Sequence, residues 1–487
     1  MNSFLTIILA VIMAFSPLGG ATVNLEEPIS FDASIQLDTE AVAALAADTG
    51  KEMPEETQQT FKAIADILNA ITIEGVAAYD AVELSVLTGE TSLMSAGVKY
   101  NDDGAVIASS LVGPQVFTVT EETIRKMQEE RMNSAAQSMS FADYRSLLDA
   151  MRQLDRAQIE KDCVEAGDKL AKAIEEKQGE TETGSFTVDG MAFTGKTPVN
   201  ISFAEFAEVL LNCFKELIQK DSLKPLTQKS WKETANRIDE MIENTKNQPE
   251  EQQPLFALIT YTDANGSMYY VCEISDREDS RPISGAAALH VGFGDVQGKK
   301  CFQASFTQDS QKMDMTASGI PGGKGNLKAT IISKETNAVI IATTDGAGNS
   351  DMVCSIMTKG NSAIVTANST VRDDGRTGYT MKFFYGNPEK PLLTVTGSYG
   401  RGGAPVSVYE GDGITVTPIE NLMNDETGKA TTPVKMMLGA NMMTALLTLT
   451  KNLPEDTSLW LTEQIRNMMT PSRTKTSPTS TPVVDGE

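Results

Sequence analysis

The chain has 487 residues, of which 40% are hydrophobic, and its 66 acidic and 41 basic residues give a formal charge of −25. This length supports one very large domain or two to three ordinary ones. Such a negative charge repels nucleic-acid phosphates and anionic lipid surfaces, which argues against nucleic-acid binding and polybasic membrane binding.

The first 21 residues have the pattern of a secretory signal peptide. An apolar run over residues 4–15 is too short to cross a bilayer comfortably, and small or helix-breaking residues follow it up to Ala21. No Lys or Arg precedes the run, so a buried N-terminal helix is the alternative. We expect a secreted or extracytoplasmic protein whose mature chain begins near Thr22. Because no Cys follows the run, a lipid anchor is not expected.

The next region, residues 22–250, is predicted to be helix-rich with some strands. Apolar and polar residues alternate over 29–37, as in a half-buried strand, and Pro54 followed by two Glu begins a helix. Ser202 and Glu205 form the pattern of a capping box. Further strands are predicted over 82–87, 93–100 and 105–111, a strand pair over 184–199, and helices over 120–178, 203–218 and 224–246.

Beyond Pro254 the chain is predicted to form a large antiparallel sheet. Short apolar alternations are separated by turn residues, and from Pro321 the turns recur about every dozen residues, which is typical of a meander. The polar stretch 247–254, which contains two prolines, marks the boundary with a second region over 251–469.

Two helices are predicted to end the second region. Apolar residues cover almost the whole circumference of the segment 434–450, so we expect that helix to be buried against the sheet. A second helix follows over 454–469, and the Thr-, Ser- and Pro-rich tail 470–487 should be disordered. The Met-rich helix and its neighbour are predicted to line an apolar ligand groove through Met437, Met442, Met443, Leu446 and Trp460.

One segment matches the expression of a phosphate-binding loop. Gly190–Thr197 satisfies GxxxxGK[ST], in which Lys196 would reach a phosphate and Thr197 would hold magnesium. Such a loop needs a helix beginning at its Gly-Lys-Thr, but Pro198 follows here and the helix-capping signal comes only at Ser202. The segment is therefore predicted to be a plain hairpin.

No other pattern predicts a catalytic residue, a metal site or a cofactor. His290 is the only histidine and is expected on a sheet face, without a nucleophile elbow. Residues 345–351 are acidic and Gly-rich but depart from the EF-hand spacing, which favours a turn. The SxxK match over 472–475 falls in the tail. The five Cys have no metal-ligand spacing and are expected to be mostly buried free thiols.

The order of these elements resembles one known group of proteins. The signal peptide, the alternating strand 30–37 leading into a helix, the strands over 96–119 and the long meander with helices resemble the half-barrel lipid carriers of bacterial envelopes. That group includes the LolA-like and LppX-like proteins. The resemblance implies a curved sheet whose concave apolar face holds an acyl chain or another hydrophobic partner, and it implies no catalytic residue.

We therefore predict an α+β fold, in which a large curved antiparallel β-sheet, a half-barrel-like meander, packs against helices. The predicted function is that of an exported, non-catalytic protein that binds a lipid or other hydrophobic ligand in an apolar groove. The alternative is a cell-surface structural or protein-interaction module with a fully packed core, whose partner would be a cell-envelope protein.

Overall fold

The computed structural model describes residues 27–48, 54–78, 80–101, 104–120, 122–123, 156–223, 231–276, 287–308, 311–320, 323–359, 361–402, 414–423, 425 and 427–469. The predicted signal peptide, the tail 470–487 with its SxxK match, and the predicted helical residues 124–155 lie outside these ranges.

The described residues form an α+β fold with twenty strands. The strands are β1 Ile29–Leu37, β2 Ile71–Ala77, β3 Ala81–Thr88, β4 Thr91–Asn101, β5 Gly104–Ser109, β6 Gln115–Thr120, β7 Glu182–Val188, β8 Met191–Pro198, β9 Leu255–Thr262, β10 Met268–Ser275, β11 Ala287–Val296, β12 Lys299–Gln308, β13 Gln311–Gly319, β14 Gly325–Ile332, β15 Thr336–Thr344, β16 Ser350–Thr358, β17 Asn361–Val371, β18 Thr377–Tyr385, β19 Leu393–Arg401 and β20 Thr415–Pro418. The helices are α1 Thr39–Asp48, α2 Glu55–Asn69, α3 Arg156–Glu175, α4 Phe203–Ile218, α5 Trp231–Asn247, α6 Glu420–Met423, α7 Thr431–Thr450 and α8 Glu455–Met469.

All twenty strands belong to one open, curved, mostly antiparallel sheet. From β7 to β19 each strand pairs with the next one along the chain, as predicted for a meander. Strand β19 then pairs with β1, after which β2 to β6 continue the sheet in chain order. The short β20 adds a parallel pair to β6. The sheet therefore has the spatial order β7 to β19, β1 to β6, β20.

This topology joins the two predicted regions in one sheet. Strand β8 of the first region pairs with β9 of the second, and the stretch between α5 and β9 holds a short 3₁₀ turn at Glu250–Gln252. In the first region the described residues contain eight strands, β1 to β8, beside five helices. The predicted capping box is confirmed, since the Ser202 hydroxyl accepts from the Glu205 amide and Glu205 bonds back to the Ser202 amide.

Helices cover the sheet at β9 to β11. Helices α3 and α4 place Ile174 and Phe206 against Leu258, Tyr270 and Cys272 in one buried cluster. Helix α5 packs on α4 from outside, where Ile238 and Ile242 meet Ile218. Transfer of these apolar side chains from water drives the packing, at about 25 cal/mol for each Å² of buried apolar surface.

A second group of helices packs near β1, β2 and β4. Leu449 of α7 and Leu461 and Ile465 of α8 form a buried cluster with Ile67 of α2, Ile71 of β2 and Leu93 of β4. Ion pairing and hydrogen bonding reinforce it, because Lys62 of α2 lies 2.8 Å from Asp456 of α8 and Thr457 donates to Asp66 at 2.5 Å.

The prediction that α7 is buried around its whole circumference is wrong. Leu449 is its one fully buried residue, whereas the side chains of Met436, Met442 and Leu447 are 66%, 50% and 48% exposed. Among the described residues, α7 packs mainly on the turn Ser110–Val112, β4 and α8. These neighbours leave much of its apolar circumference exposed.

A guanidinium holds the junction between β19 and β1 together. Arg376, in the turn before β18, donates to the hydroxyls of Ser398 on β19 and Ser30 on β1 and to the carboxylate of Asp32 on β1, at 2.9 Å each. Asp32 also accepts from the backbone amide of Ser398 at 3.1 Å. The Ser398 side chain is 1% exposed. These bonds connect three strands at the point where the sheet returns to its first strand.

We predict that Arg376→Leu lowers the free energy of unfolding by about 1–3 kcal/mol, because the buried Ser398 and the partly exposed Asp32 and Ser30 lose hydrogen bonds from a charged donor. The control is Lys359→Leu, which removes an ion pair with Glu335 whose two side chains are both 77% exposed. That change should alter stability by less than about 0.5 kcal/mol. Urea unfolding measures both, and equal effects would contradict a special role for the junction.

Candidate functional site: the apolar face of the sheet

Three rows of apolar side chains cross one face of the sheet, which we call the apolar face. The register places one residue of each row opposite the corresponding residue of the next strand. From β12 onward the first row is Phe302, Ala317, Leu327, Ala342, Met352, Ala367, Met381, Val395 and Ile35. The second row is Ala304, Met315, Ala329, Ile340, Cys354, Val365, Phe383, Leu393 and Leu37, and the third is Phe306, Met313, Ile331, Ala338, Ile356, Ala363 and Tyr385.

The rows continue beneath the helices that cover β9 to β11. Phe302 pairs with Phe293, and Phe293 with Tyr270, and the second row continues to Leu258. The apolar surface is therefore continuous from β9 to β19. Helices cover it at β9 to β11 and leave the rest uncovered.

Most of this surface on β13 to β19 is only half buried. Among the described apolar side chains of these strands, Met315 alone is buried, at 7% exposure. Ile331, Ile356 and Tyr385 are 48%, 44% and 38% exposed. None of the four buried clusters formed by the described residues includes a residue of these seven strands. A monomer rarely leaves so continuous an apolar surface in water unless the surface binds something.

Large and small side chains alternate on this face in both directions. On β14 the order is Leu327, Ala329 and Ile331, whereas on β15 the middle residue is the large one, Ile340, between two alanines. The same inversion separates β16, with Cys354 between Met352 and Ile356, from β17, with Val365 between two alanines. The face therefore presents pits above Ala and Cys between the larger side chains.

The opposite face, which we call the polar face, has a different composition. A continuous polar row crosses nine strands, β13 to β19, β1 and β2. Its members are Ser318, Asn326, Thr343, Asp351, Asn368, Thr380, Thr396, Ser34 and Thr72. Neighbours in this row bond to each other, since Asn368 donates to Asp351 at 2.6 Å and the Ser34 and Thr396 hydroxyls lie 2.8 Å apart. This face also has apolar residues, among them Ile332, Ile341, Val353 and Met357, so the two faces differ in how polar they are rather than being purely polar and purely apolar.

The residues predicted to line a groove are divided between two environments. Met443, Leu446 and Trp460 pack against the cluster of Leu449, Leu461 and Ile465. Met442 is half exposed, and the sulfur of Met437 lies over Gly113, where a Cβ atom would be 2.6 Å from it. The structure thus brings Met443, Leu446 and Trp460 together but not Met442. The apolar face of β13 to β19, none of whose residues was predicted to line the groove, is the larger exposed surface.

The match to a phosphate-binding loop is a hairpin, as predicted. Asp189 and Gly190 form its turn with φ of 54° and 76°, and Met191–Pro198 is strand β8. Lys196 lies opposite Tyr261 of β9. No helix begins at Lys196 and Thr197 to supply the dipole that a phosphate-binding loop uses.

His290 lies on the sheet, as predicted, but it also has a partner that its own segment did not indicate. Its Nε2 lies 3.0 Å from Oδ1 of Asp189, and its Nδ1 lies 3.5 Å from Glu273. The Tyr269 hydroxyl donates to Asp189 at 2.7 Å. Gly292 makes this possible, since a Cβ there would be 2.1 Å from the Tyr269 oxygen.

These contacts change the pKa values of the group. The hydrogen bond with Asp189 raises the pKa of His290, and burial acts against it. Burial raises the pKa of Asp189, but the bonds from His290 and Tyr269 outweigh it and the net pKa is lowered. Burial and the bond to Asp189 raise the pKa of Tyr269. Asp189 is therefore a carboxylate whose charge is balanced when His290 is protonated.

The remaining candidates behave as ordinary structural features. Asp345 accepts from the amides of Ala347 and Asn349, which confirms a turn. Cys213, Cys272, Cys301 and Cys354 are free thiols, and burial raises the pKa of Cys272 to about 12. Within the described ranges no cluster of His, Cys, Asp and Glu has the arrangement of a metal site, and no helix is long and apolar enough to span a membrane.

We predict that the single imidazole of this protein titrates above the ordinary value of about 6.5. Protonated His290 then stabilises the fold below about pH 6.5, and this contribution is lost as the pH rises through the higher native pKa. NMR of the imidazole protons measures the titration directly. Asp189→Asn should lower the pKa, and an unchanged pKa in that variant would contradict the pairing.

Met442 and Met443 are adjacent but differ in their contacts, so they provide a matched pair. We expect Met443→Ala to lower the free energy of unfolding by about 1–3 kcal/mol, because it removes methylene groups from the cluster around Leu449. Met442→Ala should cost less than about 0.5 kcal/mol. Thermal unfolding distinguishes them, and the reverse order would mean that Met442 is the packed residue.

Comparison with protein-family models, with curated proteins and with solved structures found no match to this chain. The resemblance to half-barrel lipid carriers therefore stays a prediction, and the geometry of the sheet is the basis for a functional proposal.

Proposed function

We propose that this is an exported, non-catalytic binding protein that carries a lipid or another hydrophobic ligand on the apolar face of its sheet. The observation that carries the proposal is the set of apolar rows, two from β12 to β19 and β1 and a third from β12 to β18, which remain half exposed beyond the helices. The signal-peptide pattern of residues 1–21 supports the export part of the proposal.

The size of the surface fits this use. With strands about 4.8 Å apart and residues about 3.3 Å apart along a strand, the rows from β12 to β19 span roughly 34 Å by 13 Å. This footprint, on the order of 400 Å², is the size of the largest apolar patch on a typical monomer, and such patches are often functional. Each Å² of apolar area that a ligand covers contributes about 25 cal/mol, before the entropy cost of binding.

The relief of the face favours a flexible apolar ligand. The pits at Ala338, Ala342, Ala363 and Ala367 lie between larger residues on neighbouring strands. Such pits can accept methylene groups of an acyl chain. An acyl chain fits them well because rotation about its single bonds costs little free energy. Met313, Met352 and Met381 add unbranched side chains that adapt to ligands of different shape.

The same relief supports a second candidate, a protein-interaction module that binds a cell-envelope protein. Alternating large and small residues allow two apolar sheet faces to interdigitate, as the inner faces of a β-sandwich do. In this alternative the half-exposed rows would be buried by a protein partner. The carrier proposal thus predicts a lipid or other hydrophobic ligand on the apolar face, and the alternative predicts a protein partner on the same face.

Two neighbouring residues of equal exposure on opposite faces test the proposal. Ile356 on the apolar face is 44% exposed and Met357 on the polar face is 45% exposed. We expect Ile356→Lys to weaken the binding of a fluorescent fatty acid at least tenfold, because the ammonium group must be desolvated. Met357→Lys should change binding less than twofold. Ile331 and Ile332, 48% and 41% exposed, form a second matched pair.

Native mass spectrometry of protein purified without detergent gives an independent measurement, and a bound lipid is the expected result. Absence of both bound lipid and fatty-acid binding would contradict the carrier proposal. If instead the protein self-associates or captures an envelope protein, and Ile356→Lys but not Met357→Lys abolishes that contact, the interaction module is the function.

A further inference from the structure

The polar face contains a separate cleft at β11 to β15, with a volume of about 500 Å³. Two rows of polar-face residues, which run across the strands, form its floor. One row contributes Cys301, Ser318, Asn326 and Thr343, and the other contributes Gln303, Thr316, Lys328 and Ile341. Asp189 and Met191 of the β7–β8 hairpin, with Tyr269 and Gln297, form a wall at one end. The volume is that of a small-molecule site.

Two lysines of this cleft have no acidic partner among the described residues. The neighbouring Lys300 and Lys312 pair with Asp295 and Asp314 at 2.7 and 2.9 Å. Lys299 and Lys328, which line the cleft, form no such pair, and the residues opposite Lys328 on the sheet are Thr316 and Ile341. Both lysines lie in the lining of one cleft, and two positive charges there favour an anionic ligand.

The rest of the floor supplies hydrogen-bonding groups for a hydroxyl-rich molecule. Thr316, Ser318 and Thr343 offer hydroxyls, and Gln303 and Asn326 offer amides, all on the same side of the sheet. Hydroxyl and amide groups donate and accept, so they match sugar hydroxyls in either direction. The cleft also has apolar lining, to which Ile341, Met191 and Val296 contribute together with parts of Phe302, Ala317 and Leu327.

The one carboxylate in the lining is held in place and balanced. Asp189 has a positive φ and bonds to Tyr269 and His290, so its side chain is fixed at the wall with 7% exposure. When His290 is protonated, the pair has no net charge. When His290 is neutral, Asp189 places one negative charge beside the cleft and opposes an anion.

We propose that this cleft is a binding site for a phosphorylated or otherwise anionic sugar, on the face opposite the apolar one. The anionic group lies between Lys299 and Lys328, and the sugar hydroxyls contact the polar floor. The inference does not depend on the proposed function, because the two sites share no face of the sheet.

Isothermal titration calorimetry with glucose 6-phosphate, glucose and inorganic phosphate tests the proposal. We expect glucose 6-phosphate to bind more tightly than glucose or inorganic phosphate. Only glucose 6-phosphate has a phosphate for the two lysines as well as sugar hydroxyls for the polar floor. Inorganic phosphate binding as tightly as glucose 6-phosphate would overturn the sugar part. No binding of glucose 6-phosphate at 10 mM (about 2.7 kcal/mol as a binding free energy) would overturn the site.

The lysine variants locate the site. The double variant Lys299→Ala, Lys328→Ala should weaken binding at least tenfold. The control Lys382→Ala changes a lysine of the same face on β18, opposite Thr366 and Thr394 and outside the cleft, and should leave affinity within twofold. Equal losses in both would show unspecific attraction and overturn the proposal. The imidazole signal of His290 shows that each variant is folded.

Binding affinity measured over a range of pH tests whether Asp189 opposes the anion when His290 is neutral. The groups facing His290 are Asp189 from the hairpin, Glu273 from β10 and Ser305 opposite it on β12. With glucose 6-sulfate, whose charge is constant, affinity should fall severalfold as the pH rises through the titration of His290. Asp189→Asn, which tolerates the positive φ, should bind more tightly at high pH and remove the dependence. A dependence unchanged in that variant would overturn this role.

Discussion

The register of backbone hydrogen bonds between successive strands is the constraint on which the rest of this structure depends. Side chains alternate between faces, so a shift of one residue in any pair would move the apolar set of that strand to the polar face. Here the register is kept from β9 through β19 into β1, and every member of the three apolar rows from β12 onward is apolar. A sided sheet follows directly from that agreement.

The position of β1 gives the sheet its width. Because β1 pairs with both β19 and β2, the long meander and the five strands that follow β1 become one sheet. Arg376 connects Ser30, Asp32 and Ser398 at this junction. The strands are separated by more than 350 residues of chain, so the loop-closure entropy of this pair must be offset by the backbone bonds and by the network around the guanidinium.

The helices divide the apolar surface into covered and uncovered parts. At β9 to β11, α3 and α4 bury Leu258, Tyr270 and Cys272, so that part is an ordinary core. On β13 to β19 comparable side chains, such as Ile331 and Ile356, remain half exposed. Apolar side chains of the same type therefore stabilise the fold at β9 to β11, where helices cover them. On β13 to β19 they remain available for binding. The polar face has a cleft of its own at β11 to β15. The β7–β8 hairpin, through Asp189, forms part of the lining of that cleft.

The sequence by itself determined the local structure, because strand alternation, turn residues and capping are properties of neighbouring residues. It predicted β1 at 29–37, the hairpin at Gly190–Thr197, the capping box at Ser202 and the meander beyond Pro254, and each is present. Only the tertiary structure decided which elements cover which surfaces. The segment 434–450 is apolar on all sides, but its burial depends on which elements pack against it, and Leu449 is its one fully buried residue. Strand pairing and register join residues that no local pattern relates. They produce the pairing of β1 with β19, the contact of Asp189 with His290 101 residues away, and the three rows of the apolar face.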